Sequence, residues 1–191
     1  MKIAIIGGIG SGKSTVLGIV RELGFAVRSA DEINNELLSD KQYLRLLGAA
    51  FPDVIVEGKV DRDNLRAQIF TDKAKRLMLN NIAHPLIKRR IAVIDDDPLF
   101  VEIPLIIESN MHEDFDEIIL VRSKMRKRLK RIKQRKYMKG MAMKVIRAQM
   151  SDKKLLPYSS IVVNNDGTLD ELKQIVKEVV DYLLQDTNTD L

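Results

Sequence analysis

Apolar residues along the chain fall into short runs separated by longer stretches of helical period. Ile3–Ile6 is an unbroken apolar run, so Lys2–Ile6 reads as a buried strand. A glycine turn follows, then a helix from about Lys13 to Leu23 that Gly24 closes. Phe25–Ser29, Leu99–Ile103, Glu117–Val121 and Ser160–Val163 predict four more strands of the same kind. Helical patterns dominate from Asp31 to about Asp95. There Asp61 suits the cap of one helix and Pro85 the first turn of another. Further helices are expected from Ser123 to about Tyr137, near Met143–Met150, and over Asp170–Leu184. Short apolar strands alternating with helices predict a three-layer α/β/α sandwich around a five-stranded parallel sheet. The helical stretch between the second and third strands is expected to be an inserted subdomain.

Size and composition narrow this picture. The 191 residues suit one domain with its own core, and 45% hydrophobic with 31% charged residues marks a globular chain. No apolar run approaches the roughly 20 residues that span a bilayer. Gly7 and Gly8 halt the opening run too early for a secretory segment, so no membrane partner is expected and the cytoplasm is the expected location. The absence of cysteine excludes disulfides, thiolate metal sites and Cys nucleophiles, and two histidines argue against a His-rich metal site.

The net charge of +5 and pI near 9.3 suggest a nucleic-acid or anionic-surface binder when taken as averages. The distribution says otherwise. Between Arg122 and Lys154 lie fifteen of the 32 Lys and Arg but only one of the 27 acidic residues, a local net of +14. The remaining seventeen basic and twenty-six acidic residues sum to −9. An acidic body therefore carries one strongly basic segment. Tyr137 is the only aromatic residue within it, so base stacking is poorly supported and nucleic acid is not the expected partner.

The strongest chemical signal is G-G-I-G-S-G-K-S at Gly7–Ser14, which satisfies G-x-x-x-x-G-K-[ST] between a strand and a helix. Glycines let backbone amides turn inward around a phosphate, and the helix N-terminus adds to the attraction. Gly8, Ile9, Gly10, Ser11, Gly12, Lys13, Ser14 and Thr15 are the expected ATP contacts. Lys13 reaches toward the β- and γ-phosphates, and the Ser14 hydroxyl toward Mg²⁺. A GTPase would carry N-K-x-D near the fifth strand, where this chain has Asn164-Asn165-Asp166-Gly167. A motor or helicase would need more chain, whereas a small kinase fits. Arg128, Arg131 and Arg135 are spaced to share one helix face suited to gripping phosphate. Met125, Leu129 and Ile132 form a packing stripe on the same helix.

Asp31 follows the second strand, where α/β sheets bind ligands. Its carboxylate suits a base for an acceptor hydroxyl or a Mg²⁺ ligand, and equally an N-cap for the next helix. Glu102 closes the third strand, where an acid can face the metal or stand as an edge carboxylate.

Beyond the phosphate loop, several motifs keep their order along the chain: S-A-D at 29–31, D-R-x-x-L-R-x-x-I-F at 61–70 and H-P-L-I at 84–87. They continue with E-I-P-L-I-I-E-S at 102–109, K-Q-R at 133–135, A-Q-M-S at 148–151 and N-N-D-G at 164–167. Together these resemble the dephospho-CoA kinases over nearly the whole chain. The resemblance implies one P-loop kinase domain over residues 1–191, with the insertion at about 31–97 and a basic lid at about 123–152. It implies transfer of the ATP γ-phosphate to the 3′-hydroxyl of dephospho-CoA, with ATP and Mg²⁺ as cofactors. Asp31, Lys13 and Arg135 take the catalytic roles, Asp31 as base. Asp31, Leu65, Arg66, His84 and Pro85 bind the acceptor. Asn165 lies toward the adenine of ATP, and Ser14 and Glu102 hold the metal.

The resembled family usually has Asp where this chain has Ser29, frequently Asp at Glu102, and Asp at Lys136. Arg62 is left unassigned, and monomer and homo-oligomer both stay open. A nucleoside or nucleoside-monophosphate kinase and a nucleotide-dependent nucleic-acid-binding module are the alternative readings.

Overall fold

The computed structural model describes residues 1–134, 143, 146–147 and 149–186. In chain order its elements begin with β1 (Lys2–Ile6), α1 (Lys13–Glu22), β2 (Ala26–Ser29), α2 (Ala30–Leu37) and α3 (Lys41–Ala50). Then come β3 (Ile55–Val56), β4 (Lys59–Val60), α4 (Arg62–Thr71), α5 (Lys73–Ala92), β5 (Leu99–Glu102) and β6 (Glu117–Arg122). The chain closes with α6 (Met125–Gln134), α7 (Asp152–Leu155), β7 (Ile161–Asn164) and α8 (Leu169–Asp186). It divides into two compact units, Met1–Arg28 with Asp96–Leu191, and Ser29–Asp95.

The first unit is built on a five-stranded sheet of order β2-β5-β1-β6-β7. β1 lies at its centre, parallel to β5 and β6, and β6 is parallel to β7. Ile3–Ile6 is buried throughout because the central strand is covered on both faces, which is why it reads as a continuous apolar run. On one face Ile3, Ile5, Phe100, Ile119 and Val163 pack with Val16 and Val20 of α1 and Leu172, Val176 and Val180 of α8. These are the five predicted strands, with ends shifted by a residue or two.

One expectation in the basic segment changes. Ile132 is fully buried with Ile146, Ile9 and Leu129 packed around it, but Met125 is largely exposed and does not join the stripe. Tyr137, where that helix was expected to end, lies outside the described residues.

In the second unit, α5 packs against α2, α3 and α4. Its core holds Ile33, Leu37, Tyr43, Leu47, Phe51, Val54, Ile87 and Ile91. Asp61 caps α4 as expected, with Oδ1 accepting from the Asp63 amide at 3.1 Å and the Asn64 amide at 3.0 Å. The expectation for Pro85 fails. It lies inside a 20-residue helix that starts at Lys73, where Asp72 Oδ1 accepts from the Ala74 amide at 2.8 Å. Pro85 offers no amide to the Asn81 carbonyl, and packing of α5 carries the helix across that gap. The helix-dominated stretch also contains a β3–β4 hairpin that the pattern did not reveal. Glu57 and Gly58 form its turn with φ of 49° and 76°, the left-handed pair that a two-residue hairpin demands.

Because the Asp72 side chain caps α5, Asp72→Ala is expected to cost about 1 kcal/mol. The measurement is urea denaturation, with a lower midpoint at unchanged slope.

Candidate active site

β1 delivers the chain into the glycine loop at its C-terminal end, and the loop ends on α1. The N-cap of α1 is Gly12, in the left-handed region at φ 105°, with no side-chain hydrogen bond to the helix. Most helices satisfy their first amides with a Ser, Thr, Asp or Asn cap, as Asp40, Asp61 and Asp72 do here. The glycine cap of α1 leaves the start of the helix open to an anion.

Lys13 is buried although charged, and its Nζ lies 3.8 Å from Glu102 Oε1. Ser14 Oγ donates to the same Glu102 oxygen at 3.3 Å. Pairing of β5 beside β1 sets Glu102 opposite Ile5, which places the carboxylate next to the loop. A hydroxyl and a carboxylate oxygen converging beside a lysine suit Mg²⁺, which takes one or two protein oxygens and completes its shell with water and phosphate. No cluster of three or more His, Cys, Asp or Glu among the described residues would hold a metal without such help.

The remaining loop residues behave differently from one another. Thr15 is exposed in the first turn of α1. Ser11 is fully buried, its hydroxyl has no hydrogen-bond partner among the described residues, and its amide donates to Gly8 O at 3.1 Å. The Ile9 amide donates to Gln149 Oε1 at 2.7 Å, and the Ile9 carbonyl accepts from Arg128 Nε at 3.0 Å. Arg131 Nη1 donates to Gly10 O at 3.1 Å, Ser11 O at 3.0 Å and Ser123 Oγ at 3.2 Å.

These contacts revise the reading of the shared arginine face. Arg128 and Arg131 donate to the loop's main-chain carbonyls, and Arg135 lies outside the described residues. Asn165 is also committed to the loop. It is buried, with Nδ2 donating to Ser11 O at 2.8 Å and Oδ1 accepting from Arg131 Nη2 at 3.1 Å. The Gln149 contact gives the A-Q-M-S segment a place. Sequence reasoning matched that segment without assigning it chemistry, since a lone Gln carries no pattern of its own.

Asp166, next along, is tied down at the start of α6. Its Oδ1 accepts from the Lys124 amide at 2.8 Å and from Ser123 Oγ at 3.0 Å. The Lys124 amide, more than the Ser123 hydroxyl or the lysine charges, holds its carboxyl below the ordinary range.

The second unit carries the remaining candidates. Asp31 is exposed in the first turn of α2. It does not cap that helix: Ser29 does, its Oγ accepting from the Asp31 amide at 3.2 Å. The Asp31 carboxylate is thereby released from the competing role. Leu65 is buried within the unit, whereas Arg66 is exposed and paired loosely with Asp63 at 3.5 Å. His84 is half-buried on α5 and Pro85, beside it, is exposed. Desolvation holds the His84 imidazole below its ordinary value of 6.5, so it is neutral at physiological pH.

A family model described as dephospho-CoA kinase matches residues 1–171. A dephospho-CoA kinase of Oceanobacillus iheyensis is 35% identical over 182 residues, covering 90% of this chain and 92% of its own. One of Corynebacterium glutamicum is 32% identical over 194 residues, covering 94% and 98%. The solved dephospho-CoA kinase of Campylobacter jejuni superposes with a TM-score of 0.72 at 26% identity, covering 98% of this chain and 100% of that one.

The lowered His84 value fixes the sign of one pH effect. Its contribution to stability is intact above 6.5 and declines as pH falls through that value toward the lower folded one, because the unfolded chain protonates first. His84→Gln is expected to flatten the loss of urea midpoint between about pH 7 and pH 5.

Proposed function

The chain belongs to the dephospho-CoA kinase family, and we propose that its two units divide the reaction, the first holding ATP and the second the acceptor. The enzyme moves a phosphoryl group from ATP to dephospho-CoA, on the 3′-hydroxyl. The observation that carries the division of labour is the open, glycine-capped start of α1 beside the Lys13–Glu102–Ser14 cluster.

In this reading the loop amides and the start of α1 bind the triphosphate, and Lys13 leaves Glu102 for the β- and γ-phosphates as ATP enters. Ser14 and Glu102 hold Mg²⁺, which when bound neutralises charge on the phosphates. Asp31 accepts the proton of the acceptor hydroxyl as that oxygen attacks, and its exposed carboxylate is available because Ser29 serves the helix. Arg66 and a neutral His84 contact the acceptor, and Leu65 and Pro85 shape its surroundings. A neutral imidazole there offers one donor and one acceptor.

The basic stretch at about 123–152 acts as a lid within one kinase domain that contains the insertion at about 31–97, and Arg135 meets the transferring group. No helix among the described residues is long and apolar enough to cross a membrane, and we assign the enzyme to the cytoplasm, where ATP and a soluble acceptor meet.

A coupled ADP-release assay over a panel of acceptors tests the reading. Turnover with dephospho-CoA and none with nucleosides or mononucleotides is expected, and turnover stimulated only by DNA or RNA would overturn it. Asp31→Asn is expected to lower kcat by about 10² or more while ATP affinity stays near wild type. Glu102→Gln is expected to raise the Mg²⁺ concentration needed for half-maximal rate, read by titrating the metal at fixed ATP.

A further inference from the structure

Three successive carbonyls of the phosphate loop are gripped from one side. Ile9 O accepts from Arg128 Nε, Gly10 O from Arg131 Nη1, and Ser11 O from both Arg131 Nη1 and Asn165 Nδ2. In a trans peptide the carbonyl of one residue and the amide of the next lie in one plane and point in opposite directions. Pulling the Ile9 and Ser11 carbonyls toward α6 and β7 therefore turns the Gly10 and Gly12 amides toward the opposite face.

We propose that Arg131, together with Arg128 and Asn165, is a positioning residue that sets the phosphate-binding amides before the nucleotide arrives. The proposal rests on ATP binding at this loop. It assigns to the buried side of α6 a task distinct from direct contact with phosphate.

The chemistry of the guanidinium fits this task. It is planar, always charged and purely a donor, so it can serve several carbonyls at once without competing for the amides. Arg131 places Nη1 on Gly10 O, Ser11 O and Ser123 Oγ, and Nη2 on Asn165 O and Oδ1, each at 3.1 Å. A lysine presents its donors from one point and cannot span these acceptors. Arg128 is buried and keeps Asp152 Oδ1 at 3.5 Å, so its charge is met at the back of the loop. The loop glycines make room for the grip. A Cβ at Gly8 would overlap the Arg128 guanidinium, and one at Gly12 would overlap the Asn165 amide.

The test combines calorimetric titration with ATP and steady-state kinetics on the wild type, Arg131→Lys, Arg131→Gln and Asn165→Asp. Both Arg131 variants are expected to bind ATP about tenfold or more weakly, while KM for dephospho-CoA and the melting temperature stay close to wild type. Asn165→Asp keeps an acceptor for Arg131 but removes the donor to Ser11 O, and is expected to show the same ATP-specific loss even if the Arg131 variants fold poorly. Wild-type ATP affinity in Arg131→Lys would show that charge alone suffices and would overturn the proposal. So would unchanged ATP affinity in Asn165→Asp, or a loss of ATP affinity in that variant matched by a raised acceptor KM and a lowered melting temperature. Absence of ATP binding by the wild type would instead remove the nucleotide reading itself.

Discussion

A phosphate site made of backbone amides must be kept from collapsing onto its own carbonyls. Main-chain donors and acceptors seek one another, and a short flexible loop with exposed amides is unstable unless its carbonyls are satisfied elsewhere. Much of the first unit answers this constraint. The fully buried β1 fixes where the loop begins, and α1 fixes where it ends. The side chains of α6 and the turn after β7 take up the carbonyls between. Of the loop's small residues, Ser11 is turned inward, and the glycines supply the positive φ at Gly10 and Gly12 as well as the space for the Arg128 and Asn165 side chains.

The same constraint organises the charges. Lys13 is buried, which a lysine tolerates only with a partner, and Glu102 supplies one at the end of the neighbouring strand. That carboxylate also receives the Ser14 hydroxyl, so a single oxygen gathers the Lys13 and Ser14 side chains. The basic segment is not uniform. Arg128 and Arg131 are structural in direction, whereas Lys124 contributes its amide to Asp166 and leaves its side chain exposed to the field around the site.

The parts legible in the sequence are those with a strong local rule. Strand, glycine turn and helix at residues 2–22 follow from an apolar run and G-x-x-x-x-G-K-[ST], and Asp61 declares its helix by ordinary capping. Other parts depended on partners far away in the chain. Pro85 resembles a helix start until Asp72, thirteen residues earlier, takes the cap. The two-residue strands of the hairpin are too short for any alternation to register, and Glu-Gly is a weaker turn signal than Asn-Gly. Asp31 had two local readings, and the Ser29 hydroxyl two residues before it removes one of them by taking the cap. The arginine spacing put Arg128 and Arg131 on one face but did not give its direction. That direction is set by loop carbonyls more than a hundred residues distant.

One of those distant contacts bears on how the protein is made. The Asn165 amide and the Ser11 carbonyl are separated by 154 positions, and the chain has 191. A ribosome that has produced the glycine loop, both central strands and the entire insertion has still not produced the residue that completes the loop's support. The contact between Asn165 and the loop therefore forms only late in synthesis. Chains truncated before Asn165 retain every glycine of the motif, yet they have lost a brace that the motif does not encode.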